Sequence, residues 1–329
     1  MNTLAFLLPD ADLTRQRALC YSFLSALKHS PDPDAIRWVV VSPKDVRRDD
    51  LPADHVILPQ SDTPRITALQ AVCADATGKV CLIDTATDFR ADPARLFDRI
   101  DADHALLHGA DGVMGGADGS KAIDVDTVSA EDVPSRAPRF SPAVIGLDPS
   151  GFTLIPDMLA LSGQLHVSNA EDLAISTALS RTLQIETCED LIVRHTGHRR
   201  HIYHGRLQHL FPDGRVADAR AMANALPRIT APPQPLALKI RARVYGLTHR
   251  LNKPERAAYL AYLCSLSAPT QDGRSVWANI TLDMILENGT DIDRSARVFT
   301  AFAPDALAGT GLSPDTQARW SDYWASTSR

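Results

Sequence analysis

The chain has 329 residues, 44% of them hydrophobic, and a formal net charge of -6. That is enough apolar material for a real core and enough length for one large domain with an appendage, or two domains. The acidic balance (pI about 6.0) argues against nucleic acid as the main partner, since proteins that track phosphate backbones carry a basic surplus.

The apolar N-terminal run Met1 to Leu8 lacks a basic start and stops at Pro9-Asp10, so it reads as a buried strand and not as a secretion signal. No stretch of eighteen apolar residues is present, and no membrane-spanning helix is expected. Next, Asp12 or Thr14 can cap a helix whose apolar face is Leu19, Cys20, Phe23, Leu24 and Leu27, with Pro31 beyond its end. Trp38 to Val41 and Val56 to Leu58 read as short buried strands. A helix from Pro64 places Ile66, Leu69 and Cys73 on one face, and Val80 to Ile83 forms a fourth strand. This alternation predicts an α/β fold with a mainly parallel central sheet and helices on both faces, Rossmann-like in plan. Ligands then bind at the carboxyl ends of the strands, where Asp84 falls.

Ala105 to His108 reads as a further strand, followed by Gly109 to Gly119 with five glycines, either a surface loop, which is preferred, or a mobile cover over a ligand. Its spacing is not GxGxxG, which rules out a dinucleotide fingerprint. Glu171-Asp172 opens a helix through Ala174, Ile175, Ala178 and Leu179. Leu191 to Val193 reads as a strand that delivers the chain into a segment rich in histidine and arginine. That segment holds His195, His198, His201, His204 and His209. Helical steps of three would align their rings for a transition metal, but Gly197, Gly205 and the arginines point to a loop, and a dedicated zinc site is not favoured.

Pro227, Pro232, Pro233 and Pro235 mark a linker over 227–236. It separates a ligand-binding domain, 1–226, from a helical C-terminal subdomain, 237–329. In the latter, Leu236, Ile240, Val244, Leu247 and Leu251 recur at helical spacing among Lys239, Arg241, Arg243, Arg250, Lys253 and Arg256. Such a basic helix either offers a solvated face or makes peripheral contact with an anionic membrane; the solvated face is preferred. Cys20, Cys73, Cys81, Cys188 and Cys264 show no CxxC spacing and read as buried free thiols, which fits a reducing, cytoplasmic compartment.

The block from Lys79 through Val80-Cys81-Leu82-Ile83-Asp84-Thr85-Ala86-Thr87-Asp88 to Pro93, followed by Leu96-Phe97, resembles the central block of GT-A-fold nucleotide-diphospho-sugar glycosyltransferases. Glu171-Asp172 and the segment His195-Thr196-Gly197-His198-Arg199-Arg200 resemble that family's later motifs, so the resemblance covers roughly residues 1 to 210. It implies transfer of a sugar from a nucleotide diphosphate donor, a UDP-sugar by analogy, to the hydroxyl of a carbohydrate or glycoconjugate acceptor. It implies Arg65, Asp84, Thr85, Arg199 and Arg200 as nucleotide contacts. Glu171 and Asp172, with Asp172 ahead, would be the general base. A divalent metal (Mn or Mg) would be held by Asp84, Asp88 and His195. The sequence departs from the pattern at Ala86, where the family has its second acid. Asp88 would have to replace it, or Arg194, Arg199 and Arg200 would neutralise the diphosphate without metal. The other readings are a transferase-like binding protein without activity and a metalloprotein built on the histidines.

Overall fold

The structure, a computed structural model, describes residues 1–113, 138–165, 169–196, 198–230, 234–287 and 311–327. The chain divides into two compact units. Unit 1 comprises Met1–His195 and Asp213–Leu226; unit 2 comprises Thr196–Pro212 and Pro227–Arg329.

Unit 1 begins β1 (Asn2–Leu7), α1 (Leu13–His29), β2 (Ile36–Ser42), β3 (Asp54–Ile57), α2 (Pro64–Cys73), β4 (Val80–Asp84). Then follow β5 (Thr87–Phe89), α3 (Ala94–Phe97), β6 (His104–Val113), β7 (Pro138–Leu147), α4 (Ile155–Gln164), α5 (Ala170–Thr182), β8 (Gln184–Thr187) and β9 (Ile192–Arg194). Among the described residues the main sheet has seven strands in the order β3-β2-β1-β4-β7-β6-β8. β1, β2, β3 and β4 pair in parallel, as do β6 and β8, while β7 runs antiparallel to both its neighbours. The sheet is therefore mixed and mostly parallel.

Its apolar strands are continuous because both faces are covered. On one face Ala5, Val39, Leu82 and Ile145 meet Leu69 of α2, Met158 of α4 and Ile175 of α5. On the other, Phe6 packs against Phe23 of α1, Trp38 and Phe89, with ring centroids 5.2, 6.2 and 6.2 Å apart. Asp12 caps α1 by accepting from the Arg15 amide at 2.9 Å. The returning segment Asp213–Leu226, with α7 (Ala219–Ala225), packs on α1. There the Cys20 thiol donates to the Gly214 carbonyl, and Lys28 Nζ donates to the Leu226 carbonyl at 2.7 Å.

Several elements differ from the sequence reading. The strand read at Leu191 to Val193 is present as β9, but it lies in a separate two-stranded sheet, antiparallel to β5. The glycine-rich stretch starts as strand, since β6 continues to Val113, and the rest of it lies outside the described residues. The histidine-rich segment is not a loop: His198–Leu210 is a helix, α6, in unit 2. Gly205 is tolerated there because α6 packs closely on another helix, where an added Cβ would lie 3.3 Å from the Val276 carbonyl.

Unit 2 is helical: α6, α8 (Leu236–Thr248), α9 (Lys253–Ser267), α10 (Gln271–Glu287) and α11 (Pro314–Thr327). Asn252 and Glu255 form a reciprocal capping box at the start of α9. The core gathers Tyr259, Tyr262, Val276, Trp277, Ile280 and Trp320. The stripe Leu236, Ile240, Val244 and Leu247 is not part of it. These side chains are exposed, and α8 packs through Leu238, Ala242, Tyr245 and Gly246 instead. Among the described residues no helix is long and apolar enough to cross a membrane.

Candidate functional site

In unit 1 the sheet order reverses beside β1: the chain first steps to β2 and β3, then returns to β4 on the other side. A crevice opens outside the carboxyl ends of adjacent strands at such a point. Asp84 is the last residue of β4, opposite Leu7 of β1.

Three further charged groups converge there. Arg65, at the second position of α2, donates Nη2 to Asp84 Oδ2 at 3.0 Å. Its Nη1 donates to Glu171 Oε2 at 3.2 Å and to Asp172 Oδ1 at 3.1 Å. Glu171 does more than pair with the guanidinium. Its Oε1 accepts from the Arg65 and Ile66 amides at 2.6 and 3.0 Å. The cap residue of α2, Thr63, makes no side-chain cap, and Pro64 has no N–H to satisfy, so a carboxylate from α5 closes the amino end of α2. Glu171 thus has a structural task that the sequence reading did not foresee. Asn169, the residue before α5, makes no side-chain cap bond.

The protonation states follow from these contacts. Burial works against the Asp84 charge, but Arg65, its hydrogen bond and the nearby Arg194 outweigh it and hold the carboxyl below the usual aspartate range. For Glu171 burial prevails over the amide and Arg65 contacts and pushes the carboxyl above the usual glutamate range. Burial opposes the charge on Arg65, yet Asp84, Asp172 and Glu171 raise its pKa further.

Beyond Asp84 the chain turns into β5. Thr87 Oγ1 donates to the Asp84 carbonyl at 2.8 Å and shares a 2.7 Å hydrogen bond with Ser22 of α1. The His195 amide donates to the Ala86 carbonyl at 3.0 Å, so β9 brings His195 alongside this turn. Arg194 Nη1 donates to Ser141 Oγ at 2.6 Å. Asp88 is buried and pairs with Arg90 at 2.5 Å; His195 Nε2 lies 3.9 Å from its carboxylate. Thr85 is buried as well.

The structure thus brings together Arg65, Asp84, Glu171 and Asp172, and separately Asp88 and His195. Arg200 lies on α6 in unit 2, and the side chains of Arg199, His198 and His201 lie outside the described residues. His209 Nδ1 is 3.2 Å from Asp272 Oδ1, within unit 2. Among the described residues no group of three or more His, Cys, Asp or Glu side chains is placed to hold a metal ion. Asp84, Asp88 and His195 therefore do not fit the divalent-cation site implied by the resemblance: two of the three have cationic partners, and Ala86 supplies no oxygen but its carbonyl.

Two contributors escaped the sequence reading. Ser141 of β7 holds Arg194, and Ser22 of α1 holds Thr87. Neither sits in a motif, so no local signal marked them. A scan of protein families finds no match to this chain, and a search of curated proteins finds none.

Proposed function

We propose that the protein is a glycosyltransferase that moves a sugar from a nucleotide diphosphate donor, a UDP-sugar by analogy, to the hydroxyl of a carbohydrate or glycoconjugate acceptor. The observation that carries this reading is the convergence of Arg65, Asp84, Glu171 and Asp172 at the carboxyl ends of the strands where the sheet order reverses.

In this reading Asp84 and Arg65 form one wall of the donor crevice. A departing nucleoside diphosphate carries about two to three negative charges near neutral pH and needs fixed positive charge beside it. Arg194, within electrostatic reach of Asp84, supplies that charge without a metal. Asp172 is the base that takes the acceptor's proton. It is favoured over its neighbour because Glu171 is committed to the amides of α2. The five cysteines, all buried and free, fit a reducing compartment and a cytoplasmic enzyme.

Titration calorimetry with uridine, guanosine and adenosine diphosphates, each with and without Mn, tests the proposal. One diphosphate is expected to bind without needing Mn, and Arg194→Ala to weaken it by about 10- to 100-fold, the loss of one charged hydrogen bond. Asp84→Ala should lower turnover of the matching sugar donor. Failure of every diphosphate to bind would sink the reading. Binding with neither transfer nor donor hydrolysis would favour the transferase-like binding protein, the reading that Ala86 supports.

A further inference from the structure

Helix α8 carries its apolar side chains on the wrong face for a core. Leu236, Ile240, Val244 and Leu247 are 72, 57, 56 and 71% exposed. At 100° per residue they span an arc of about 80°, one continuous stripe. The opposite face, through Ala242 and Gly246, packs within unit 2, so the stripe is not a packing seam. The helix has no acidic residue, and Lys239 and Arg243 flank the stripe on one side with Arg241 on the other.

Beside it, between α8 and α9, lies a groove of about 460 Å³ lined by Lys239, Arg243, Lys253 and Arg256, with Ala257 and Leu260 beneath. No acid lines it. Among the described residues none of the four cations is in an ion pair; the nearby Glu255 is buried in the capping box of α9. Four cations around one groove repel one another, and the arrangement is relieved by an anion.

We propose that α8 docks on an anionic phospholipid surface, with the stripe entering the boundary between headgroups and acyl chains and the groove receiving headgroup phosphates. An apolar stripe edged by cations on long stems is the chemistry of an interfacial helix, because the stems reach up to the phosphates while the stripe sinks. A nucleic acid matches the cations but not the stripe. A second copy matches the stripe but sets like charges against like charges along its rim.

Co-sedimentation with phosphatidylcholine vesicles, with and without phosphatidylglycerol, tests this on the full chain. Binding is expected to the anionic vesicles only and to weaken with salt. Lys239→Gln and Arg243→Gln should each reduce partitioning about fivefold. Replacing Ile240 and Val244 by serine should abolish what remains; all four side chains are exposed, and circular dichroism checks the fold. A second arm reads insertion directly. Ile240→Cys labelled with an environment-sensitive dye should shift to the blue on anionic vesicles alone, since the native thiols are buried. Equal partitioning onto neutral and anionic vesicles overturns the proposal, as does a dye that stays in water. So does self-association that the serine variant removes, which would mark a contact between copies. Binding of inorganic phosphate with no vesicle partitioning would mark a soluble-anion site and overturn it equally.

Discussion

Arg65 and Asp84 are joined by a 3.0 Å ion pair that ties the amino end of α2 to the carboxyl end of β4. The same guanidinium holds Glu171 and Asp172, so one cation organises three acids from two other elements. Its removal would leave three carboxylates facing one another in a partly buried crevice. Arg65→Ala should cost unit 1 about 2–4 kcal/mol, the range for stripping one partner from a largely desolvated pair. Arg65→Lys should recover only part of this, because an ammonium cannot fork toward three acids. Hydrogen exchange over α2 and α5 reads the change. Wild-type protection in the alanine variant would show that the network contributes little.

The pair Arg48–Asp50 is a deeply buried ion pair of unit 1. Its side chains are 1 and 9% exposed, and two nitrogens meet two oxygens at 2.8 and 2.7 Å. Asp50 also accepts from the Val216 amide at 2.9 Å, pinning the returning segment. Burial opposes the charge of Asp50, but Arg48 and that amide hold its pKa below the usual value. A depressed folded pKa contributes stability above the unfolded aspartate value of about 3.9, lost as pH falls below it. Asp84 acts in the same direction. Glu171, whose pKa is raised, acts oppositely: its contribution is greatest in acid and is lost as pH rises. Asp50→Ala should therefore destabilise unit 1 by about 3–5 kcal/mol near neutral pH, and by progressively less below about pH 4. Urea titrations of both proteins across that range check it. A deficit independent of pH would mean that packing, not charge, is what was lost.

Gly146 of β7 lies opposite Leu106 of β6, and a Cβ there would stand 2.8 Å from the Leu106 Cβ and 2.5 Å from Ile100 Cδ1. The isoleucine tip can rotate away. The leucine Cβ cannot move without its strand. Gly146→Ala should cost about 1–3 kcal/mol by overpacking, although alanine suits a strand better than glycine does. Adding Ile100→Val should return part of the loss in urea denaturation. No recovery would place the clash on the leucine alone.

Legibility followed locality. The strands β1, β2 and β4 show as apolar runs because both their faces are buried, and Asp84 stands out because it ends one of them. The strand β7 was not legible: Pro142 breaks its pattern, and proline argues against a central strand. The structure tolerates Pro142 because pairing with β4 ends at Val144 and the register with β6 shifts between Leu107 and Gly109. The contact of Arg65 with Glu171 and Asp172 spans more than a hundred positions, so no spacing rule could show it. In α8 the period gave a helical face but not its direction. Leu236, Ile240, Val244 and Leu247 look like core residues until Ala242 and Gly246 are seen to make the packing contact.

The cysteines offer a test of the core. Cys20, Cys73, Cys81, Cys188 and Cys264 are all buried. Burial pushes the Cys20 and Cys264 thiols up to about 11 and those of Cys73 and Cys188 up to about 12. Arg48, whose Nη2 lies 3.0 Å from the Cys20 sulfur, pulls the other way but does not overcome burial. The thiolate is the reactive form, so near pH 8 each of these groups should be almost wholly protonated as well as shielded. The native protein should react with a disulfide reagent only over hours, and all five thiols should react promptly once urea unfolds it. A thiol that reacts at once in the native state would show that its part of the core opens. Fewer than five thiols after unfolding without reductant would show that a disulfide had formed, contrary to the free state of every cysteine.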